Sequence, residues 1–324
     1  MRRSAPLLLA AALAFAGCGA SNHDSGAASP RPLTLMLDWT PNPDHVAIFL
    51  AQRKGYFAQA GLKVTVRAPS DPTTPLKLVA AGRADLAVSY EPELFFAAAK
   101  RLPVVAVASL VPRPLDSLIS LRPLPSLAGH SVGITGVPTD DAFLATLLAH
   151  SHTPRHRVKV VHVGYNLVPA LLAHRVDAIL GGYRNVEGIQ LAQRGLHPTI
   201  LPVDRGGVPH YDELVVAANA KRLRSDSAYA HAVARFVAAL ARGNRAATSE
   251  PSAALAAAEA ETESPRAFLR RSVPATTPLL RGAPCLSRSQ WEAFGKWMFS
   301  RKLVSRRIPA PQVMATDYLP RGCA

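Results

Sequence analysis

Two hydrophobic periodicities alternate along the first two thirds of the chain. Leu33–Leu37 is a short apolar run that reads as a strand, followed by the loop Asp38-Trp39-Thr40-Pro41-Asn42-Pro43. Asp44 can cap a helix over His45–Phe57, where Val46, Phe49, Leu50 and Phe57 recur at helical spacing. Gly61 stops that helix, and Leu62–Arg67 alternates apolar and polar positions as a strand does. Thr74–Ala81 then reads as a helix ended by Gly82, and Asp85–Ser89 as a third strand. The order is β-α-β-α-β.

The same order recurs in the middle of the chain. Ser131–Ile134 predicts a strand, Thr135-Gly136-Val137-Pro138-Thr139 a loop, and Asp140–His150 a helix with an acidic start. Val158–Val163, Val168–His174 and Asp177–Leu180 follow as strand, helix and strand. The two third strands share local wording, Ala81-Gly82-Arg83-Ala84-Asp85-Leu86 against Ala173-His174-Arg175-Val176-Asp177-Ala178. Alternating strands and helices imply mostly parallel sheets with helices on both faces, an α/β fold. In such sheets ligands bind outside the carboxyl ends of the strands. Those ends carry Asp38–Asn42 and Ser89-Tyr90-Glu91 in one half, Thr135-Gly136-Val137 and Gly181–Glu187 in the other. Facing lobes would bring these four loops into one cleft.

Beyond about residue 215 the pattern is helical, over Ser227–Arg242, Ala253–Glu261 and Ser287–Phe299. It is too poor in strands for a third sheet and is expected to return to and cover the first lobe. Val111–Pro125 and Tyr211–Asn219 are the candidate crossings. The expected lobes are therefore 33–118 with 216–324, and 119–215.

Composition agrees with two cores. The chain has 324 residues, 48% of them hydrophobic and 18% charged, and single cores stop growing at about 250–300 residues. The formal charge of +15 comes from 37 Lys+Arg against 22 Asp+Glu. The cations are scattered, with only short pairs such as Arg270-Arg271 and Arg306-Arg307. A nucleic-acid binder would show a clustered stripe or a motif, so a solvated basic surface is expected and no nucleic-acid partner.

The N-terminus reads as an address. Met1-Arg2-Arg3, the apolar Leu7–Ala16 and the small residues before Cys18 make an export signal over residues 1–17. Phe15-Ala16-Gly17-Cys18 resembles the lipobox of bacterial lipoproteins, with Phe15 where leucine is usual. That resemblance implies acylation of Cys18 and an extracytoplasmic chain anchored to the membrane by lipid. Residues 18–32, rich in Ser, Ala, Gly and Pro, then form a flexible tether. No apolar run reaches the roughly 18 residues that span a bilayer. In an oxidising exterior Cys285 and Cys323 could form one disulfide pinning the C-terminal tail.

Catalytic motifs such as His-Glu-x-x-His and the P-loop are missing. His150, His152 and His156 cluster at a helix C-terminus, where the dipole favours cations, and no acidic or cysteine partner stands nearby. No metal and no cofactor are expected. The loop residues offer other chemistry. Trp39, Tyr90, Tyr183 and Tyr211 supply stacking faces for a flat heteroaromatic ligand. Asp38, Glu91 and Glu187 can accept from an exocyclic amine or pair with a protonated ring nitrogen, and Asn42 can donate and accept.

These residues lie in motifs of a known family. Asp38-Trp39-Thr40-Pro41-Asn42-x-x-His45, Gly55-Tyr56-Phe57 and Gly61-Leu62 resemble the thiamine-pyrimidine-precursor branch of the ABC-importer substrate-binding proteins, in the NMT1/THI5-like family. Ala81-Gly82-x-Ala84-Asp85-x-Ala87-x-Ser89-Tyr90, Gly181-Gly182-Tyr183-x-Asn185-Val186-Glu187 and Gly207-Val208-Pro209-x-Tyr211-x-Glu213-Leu214 extend the likeness over about residues 33–220. The resemblance implies a two-lobed, periplasmic-binding-protein-like fold of type II, monomeric and hinge-closing. It implies delivery of formylaminopyrimidine or hydroxymethylpyrimidine to an ABC permease and its ATPase.

Carried over by motif, Trp39, Asn42, Tyr183 and Glu187 hold the ring and its amino edge, with Tyr90 and Tyr211 beside them. The full candidate ligand-binding set adds Asp38, His45, Ser89, Glu91 and Asn185. Eukaryotic relatives that make the pyrimidine consume their own lysine and histidine and carry a cysteine-rich iron-site run. This chain reads Pro72-Thr73-Thr74-Pro75 where that branch has Lys-x-Thr-Pro, and it has no cysteine cluster, so no enzyme is expected. Two other readings stay open: a receptor for riboflavin, an alkylsulfonate or another nitrogenous aromatic, and an exported enzyme or adhesion module on the same scaffold.

Overall fold

A computed structural model describes residues 29–323. The signal at 1–17, Cys18 and most of the tether lie outside the described residues. Arg31 and Pro32, expected in the tether, already belong to the first strand.

The first half runs β1 (Arg31–Met36), α1 (Val46–Arg53), α2 (Tyr56–Gln59), β2 (Leu62–Arg67), α3 (Pro75–Ala80), β3 (Leu86–Ser89), α4 (Glu91–Ala99) and β4 (Val104–Val111). The chain then crosses to a second sheet. There it forms β5 (Asp116–Ser120), β6 (Ser131–Ile134), α5 (Pro138–His150), β7 (Lys159–His162), α6 (Leu167–Leu172), β8 (Ala178–Tyr183), α7 (Glu187–Gln193) and β9 (Thr199–Pro202). It returns as β10 (Leu214–Asn219), followed by α8 (Ala220–Ser225), α9 (Ser227–Ser249), α10 (Pro251–Glu261), α11 (Arg266–Thr276) and α12 (Arg288–Ser300). The single helix expected over His45–Phe57 is two, because Gly55 takes a left-handed φ of 69° between them.

Both sheets have five strands, in the orders β2-β1-β3-β10-β4 and β7-β6-β8-β5-β9. In each, three parallel strands in the order 2-1-3 are followed by one antiparallel strand, β10 or β5, that the crossing segment supplies. The dividing lines expected at 118/119 and 215/216 therefore fall inside β5 and β10. The crossings themselves are the stretches before Asp116 and before Leu214.

The repeated Arg-x-Asp wording has a structural cause. The Asp85 carboxylate accepts from the Thr34 N–H of β1 at 2.8 Å, and its own N–H donates to the Thr34 carbonyl. Asp177 does the same with Ser131 of β6, again at 2.8 Å. Gly82 and His174, three residues earlier, both adopt positive φ. Each aspartate thus locks the start of its third strand onto the first.

The C-terminal helices cover the first sheet as expected. Tyr229, Val233, Phe236, Val237 and Leu240 make the buried face of α9, and the Phe236 ring stacks on Phe57 at 4.9 Å. Burial of each such side chain contributes about 1.5–3 kcal/mol. Beyond α12 the tail runs beside β4: Ala106 N–H donates to the Val313 carbonyl and Ala315 N–H to the Ala106 carbonyl, both at 2.8 Å. Cys285 and Cys323 form a disulfide that ties this tail down. Among the described residues no helix is long and apolar enough to cross a membrane.

Candidate ligand site

The carboxyl ends of both sheets face one cavity between the lobes. From the first lobe come Asp38, Trp39 and Asn42 of the loop after β1, Tyr90 after β3, and Glu213 before β10. From the second come Asp116 at the start of β5, Thr135, Val137, Thr139 and Asp140 around the start of α5, and Gly181, Tyr183, Val186 and Glu187 of the β8–α7 turn. The lobes touch beside it, where the Trp39 and Tyr165 rings meet edge to face at 4.3 Å.

Local structure fixes most of these groups. Asn42 caps the turn over Pro43–His45, its side chain accepting from Asp44 N–H at 2.8 Å. His45 Nε2 lies 2.8 Å from Asp38 Oδ1, and Tyr90 OH donates to Asp38 Oδ2 at 2.9 Å. Glu213 accepts from the Leu115 and Asp116 N–H groups and from the Tyr211 hydroxyl, at 2.6, 2.8 and 2.8 Å. Its other oxygen accepts from Tyr183 OH at 3.3 Å. Glu187 accepts from Tyr183 N–H at 2.7 Å. Asp140 accepts from Thr135 Oγ1 at 2.6 Å and Gly136 N–H at 2.9 Å.

The electrostatics follow from burial. Loss of solvation pushes Asp140 and Glu187 up to about 7. Asp116 is raised by burial and then by the charges of Glu213 and Asp140, and Glu213 is raised by its own burial. Burial also holds the Tyr90 and Tyr183 phenols well above their usual range, so both are neutral hydrogen-bond donors. Among the described residues, no Lys, Arg or His lines the cavity. The Gly136 N–H, which could have met an anion at the entry to α5, is already taken by Asp140. Aromatic faces and hydrogen-bond acceptors are what the cavity offers. Among the described residues no group of His, Cys, Asp and Glu side chains is arranged to hold a metal ion.

Of the candidates named from sequence, Asp38, Trp39, Asn42, Tyr90, Tyr183 and Glu187 line this cavity. The other five stand behind its wall. His45 is buried against Asp38, and Ser89 donates to Glu93 at 3.3 Å. Glu91 accepts from Asp212 N–H and Gln290 Nε2 inside the first lobe. Asn185 joins the lobes by donating to Asp44 Oδ1 at 2.7 Å and to Thr276 Oγ1 at 2.8 Å. The Tyr211 ring packs against Phe143 and Phe294, and its hydroxyl orients Glu213.

Asp116, Thr139, Asp140 and Glu213 are wall residues that the sequence reading did not single out. Glu213 lay in a quoted motif, and Asp140 was visible as the acidic start of a helix. Asp116 lies on a crossing strand and had no pattern to mark it.

Comparison with known proteins gives a consistent family. A "Putative thiamine biosynthesis protein" of Haemophilus influenzae is 41% identical over 192 residues, 58% of this chain and 61% of the relative. The "Formylaminopyrimidine-binding protein" of Halalkalibacterium halodurans is 37% identical over 218 residues, 65% of this chain and 66% of the relative. The chain thus matches a little under two thirds of the length of both. The 4-amino-5-hydroxymethyl-2-methylpyrimidine phosphate synthase THI11 of Saccharomyces cerevisiae is 29% identical, over 47% of this chain and 46% of the yeast protein.

Among solved structures, a ligand-binding component of an ABC-type import system from Staphylococcus aureus aligns with a TM-score of 0.70 at 12% identity, covering 89% of this chain and 97% of that one. The alkanesulfonate-binding protein SsuA of Xanthomonas axonopodis pv. citri aligns at 0.68 and 15%, covering 88% and 99%. These likenesses show the periplasmic-binding-protein fold. Residues 42–254, more than half of the chain, match the family described as NMT1/THI5 like, and the chain belongs to that family.

Proposed function

We propose that the protein is an extracytoplasmic solute receptor, lipid-anchored through Cys18, that captures a pyrimidine precursor of thiamine and hands it to an ABC permease. The observation that carries this reading is the cavity's lining: Trp39, Tyr90 and Tyr183 with Asn42, Glu187 and further carboxyls, and no cation. A flat ring rich in amino groups matches that set, with its amino edge on Glu187 and its face on the aromatics. A sulfonate does not, because its charge would meet carboxylates and no arginine. The 37% identical relative named for formylaminopyrimidine supports the same substrate class. The synthase alternative finds no support in the residues: Pro72-Thr73-Thr74-Pro75 stands in place of a lysine motif, and the two cysteines described are joined to each other.

A thermal-shift screen of the protein against formylaminopyrimidine, hydroxymethylpyrimidine, thiamine, riboflavin and alkylsulfonates tests the reading. A ligand at one hundred times its Kd adds about 2.7 kcal/mol of stability. A selective rise with the two pyrimidines is the expected result. A rise with riboflavin or a sulfonate alone moves the specificity, and turnover of a bound pyrimidine replaces the receptor with an enzyme.

A further inference from the structure

Cations that are scattered along the sequence are gathered by the fold at one end of the first sheet. β1, β3 and β4 start at this end and β10 finishes there, so it lies opposite the carboxyl ends that face the cavity. Around it stand Arg83 before β3, Lys100 and Arg101 before β4, Lys221 and Arg224 on α8, and Arg306 of the tail, all exposed. Hydrogen bonds bring their segments together. Asn219 Nδ2 donates to the Val79 and Ala80 carbonyls at the end of α3, at 3.0 and 3.2 Å. The Ala220 N–H that opens α8 donates to the Pro103 carbonyl at 2.8 Å. Arg306 Nη2 donates to the Ala98 carbonyl at 2.9 Å, two residues before Lys100.

Positive charge is in excess here. The stretches 81–84, 98–103, 220–225 and 301–312 that build this end contain no Asp or Glu. Beside them, Asp85 and Asp226 are already engaged by Arg222, at 2.7 and 3.4 Å, and Asp226 also lies 3.7 Å from Arg31. Among the described residues, none of the six named cations makes an ion pair. An apolar point projects from the same end. Arg101 takes a positive φ of 57°, and the Leu102 N–H closes the turn on the Ala97 carbonyl at 2.9 Å. Leu102 is left 37% exposed, one of two large hydrophobic side chains so exposed among the described residues. Cations around a protruding leucine match an anionic bilayer, whose phosphates attract the charges while the leucine enters the headgroup boundary.

We propose that this end of the first lobe is a docking surface for an anionic lipid bilayer. The course of the chain favours that partner over other polyanions. Arg31, the first residue of β1, stands at the same end. Residues 19–30 separate it from Cys18 and span at most about 40 Å when fully extended. A lipid on Cys18 therefore keeps this surface within reach of the membrane, with the cavity on the far side of the first sheet. Only that reach rests on the anchor proposed at Cys18. The surface itself stands on its charges, whatever ligand the cavity takes.

The test is co-sedimentation with vesicles of the chain from residue 18 onward, carrying Cys18→Ser so that no acyl group contributes. One set of vesicles is phosphatidylcholine alone, and the other includes about one third phosphatidylglycerol. Binding to the anionic vesicles only, lost at about 1 M salt where the Debye length is about 3 Å, is the expected result. Arg83→Gln, Lys100→Gln, Arg101→Gln and Lys221→Gln, alone and combined, should lower partition about fivefold for each cation removed. Each variant is first checked for an intact melting transition. A control pair, Arg157→Gln with Arg245→Gln, removes charge from the second lobe and from the far part of α9, and should leave partition within about twofold. Absence of binding to the anionic vesicles overturns the proposal. So does an equal loss per charge in the control pair, which would make the attraction one of net charge alone. Retention of duplex DNA that the four variants abolish, with vesicles left unbound, would give the surface to nucleic acid instead. None of these outcomes touches the pyrimidine screen, so the two readings fail separately.

Discussion

Glu187 stands in the first turn of α7 with one oxygen on the Tyr183 amide and its carboxyl in the cavity wall. Glu187→Gln keeps the shape and replaces an acceptor oxygen with a donor, so it should weaken pyrimidine binding by about 1.5–3 kcal/mol. Trp39, only partly buried, lines the same cavity, and on the proposed reading Trp39→Ala should cost about 1–3 kcal/mol of binding. Isothermal titration checks both, and unchanged dissociation constants would place the ligand elsewhere. The strand-end rule made these residues legible, because a loop after a buried strand has to open into the cleft. The same rule could not tell wall from backing. His45 and Tyr211 are conspicuous in sequence, yet their polar atoms serve Asp38 and Glu213. Asp116 was invisible because a crossing strand has no helix partner to announce where its first residue points.

Paired devices dominate at the scale of elements. Asp85 and Asp177 each accept a backbone N–H from the neighbouring first strand, and Asp85 additionally meets Arg222 Nη1 at 2.7 Å. Asp177→Ala should lower unfolding stability by about 1 kcal/mol and Asp85→Ala by somewhat more, as measured by urea denaturation. Gly243 lies at a close crossing of α9 over α1: a Cβ there would collide with the Ala47 carbonyl oxygen and lie 2.9 Å from Ala51 Cβ. Gly243→Ala should therefore destabilise by about 1–3 kcal/mol despite its better helix propensity, a loss that thermal melting reads directly. The repeated β-α-β-α-β order was legible because 2.0 and 3.6 periodicities alternate cleanly there. Several elements were not, β4, α4 and α11 among them. β4 is buried along its whole length and lacks an alternating pattern. α4 follows β3 with no break that the apolar pattern marks. α11 begins after one proline and carries Pro274 within it.

For the whole molecule, the buried carboxyls set a pH dependence. Asp44, Asp140 and Glu187 lie at about 7 in the fold, chiefly through burial, against 3.8 for aspartate and 4.5 for glutamate. The folded protein thus holds protons that the unfolded chain releases between about pH 4 and 7. Their contribution to stability is complete at the acid end of that window and is lost as pH rises through 7. Calorimetry should find a higher Tm at pH 5 than at pH 8, with a shallower slope in Asp140→Asn. A Tm that climbs steadily from pH 5 to pH 8 would contradict the burial of these groups.

The two crossings also dictate an order of events during synthesis. All strands of the second sheet lie in one stretch, from β5 to β9, whereas the first sheet needs β10 between β3 and β4. Until residue 219 has left the ribosome, β4 has no neighbouring strand in its sheet. The lobe encoded in the middle of the chain can therefore close before the lobe that begins it. A nascent chain ending just past β9 would display a finished second half beside an open seam of unpaired amides in the first.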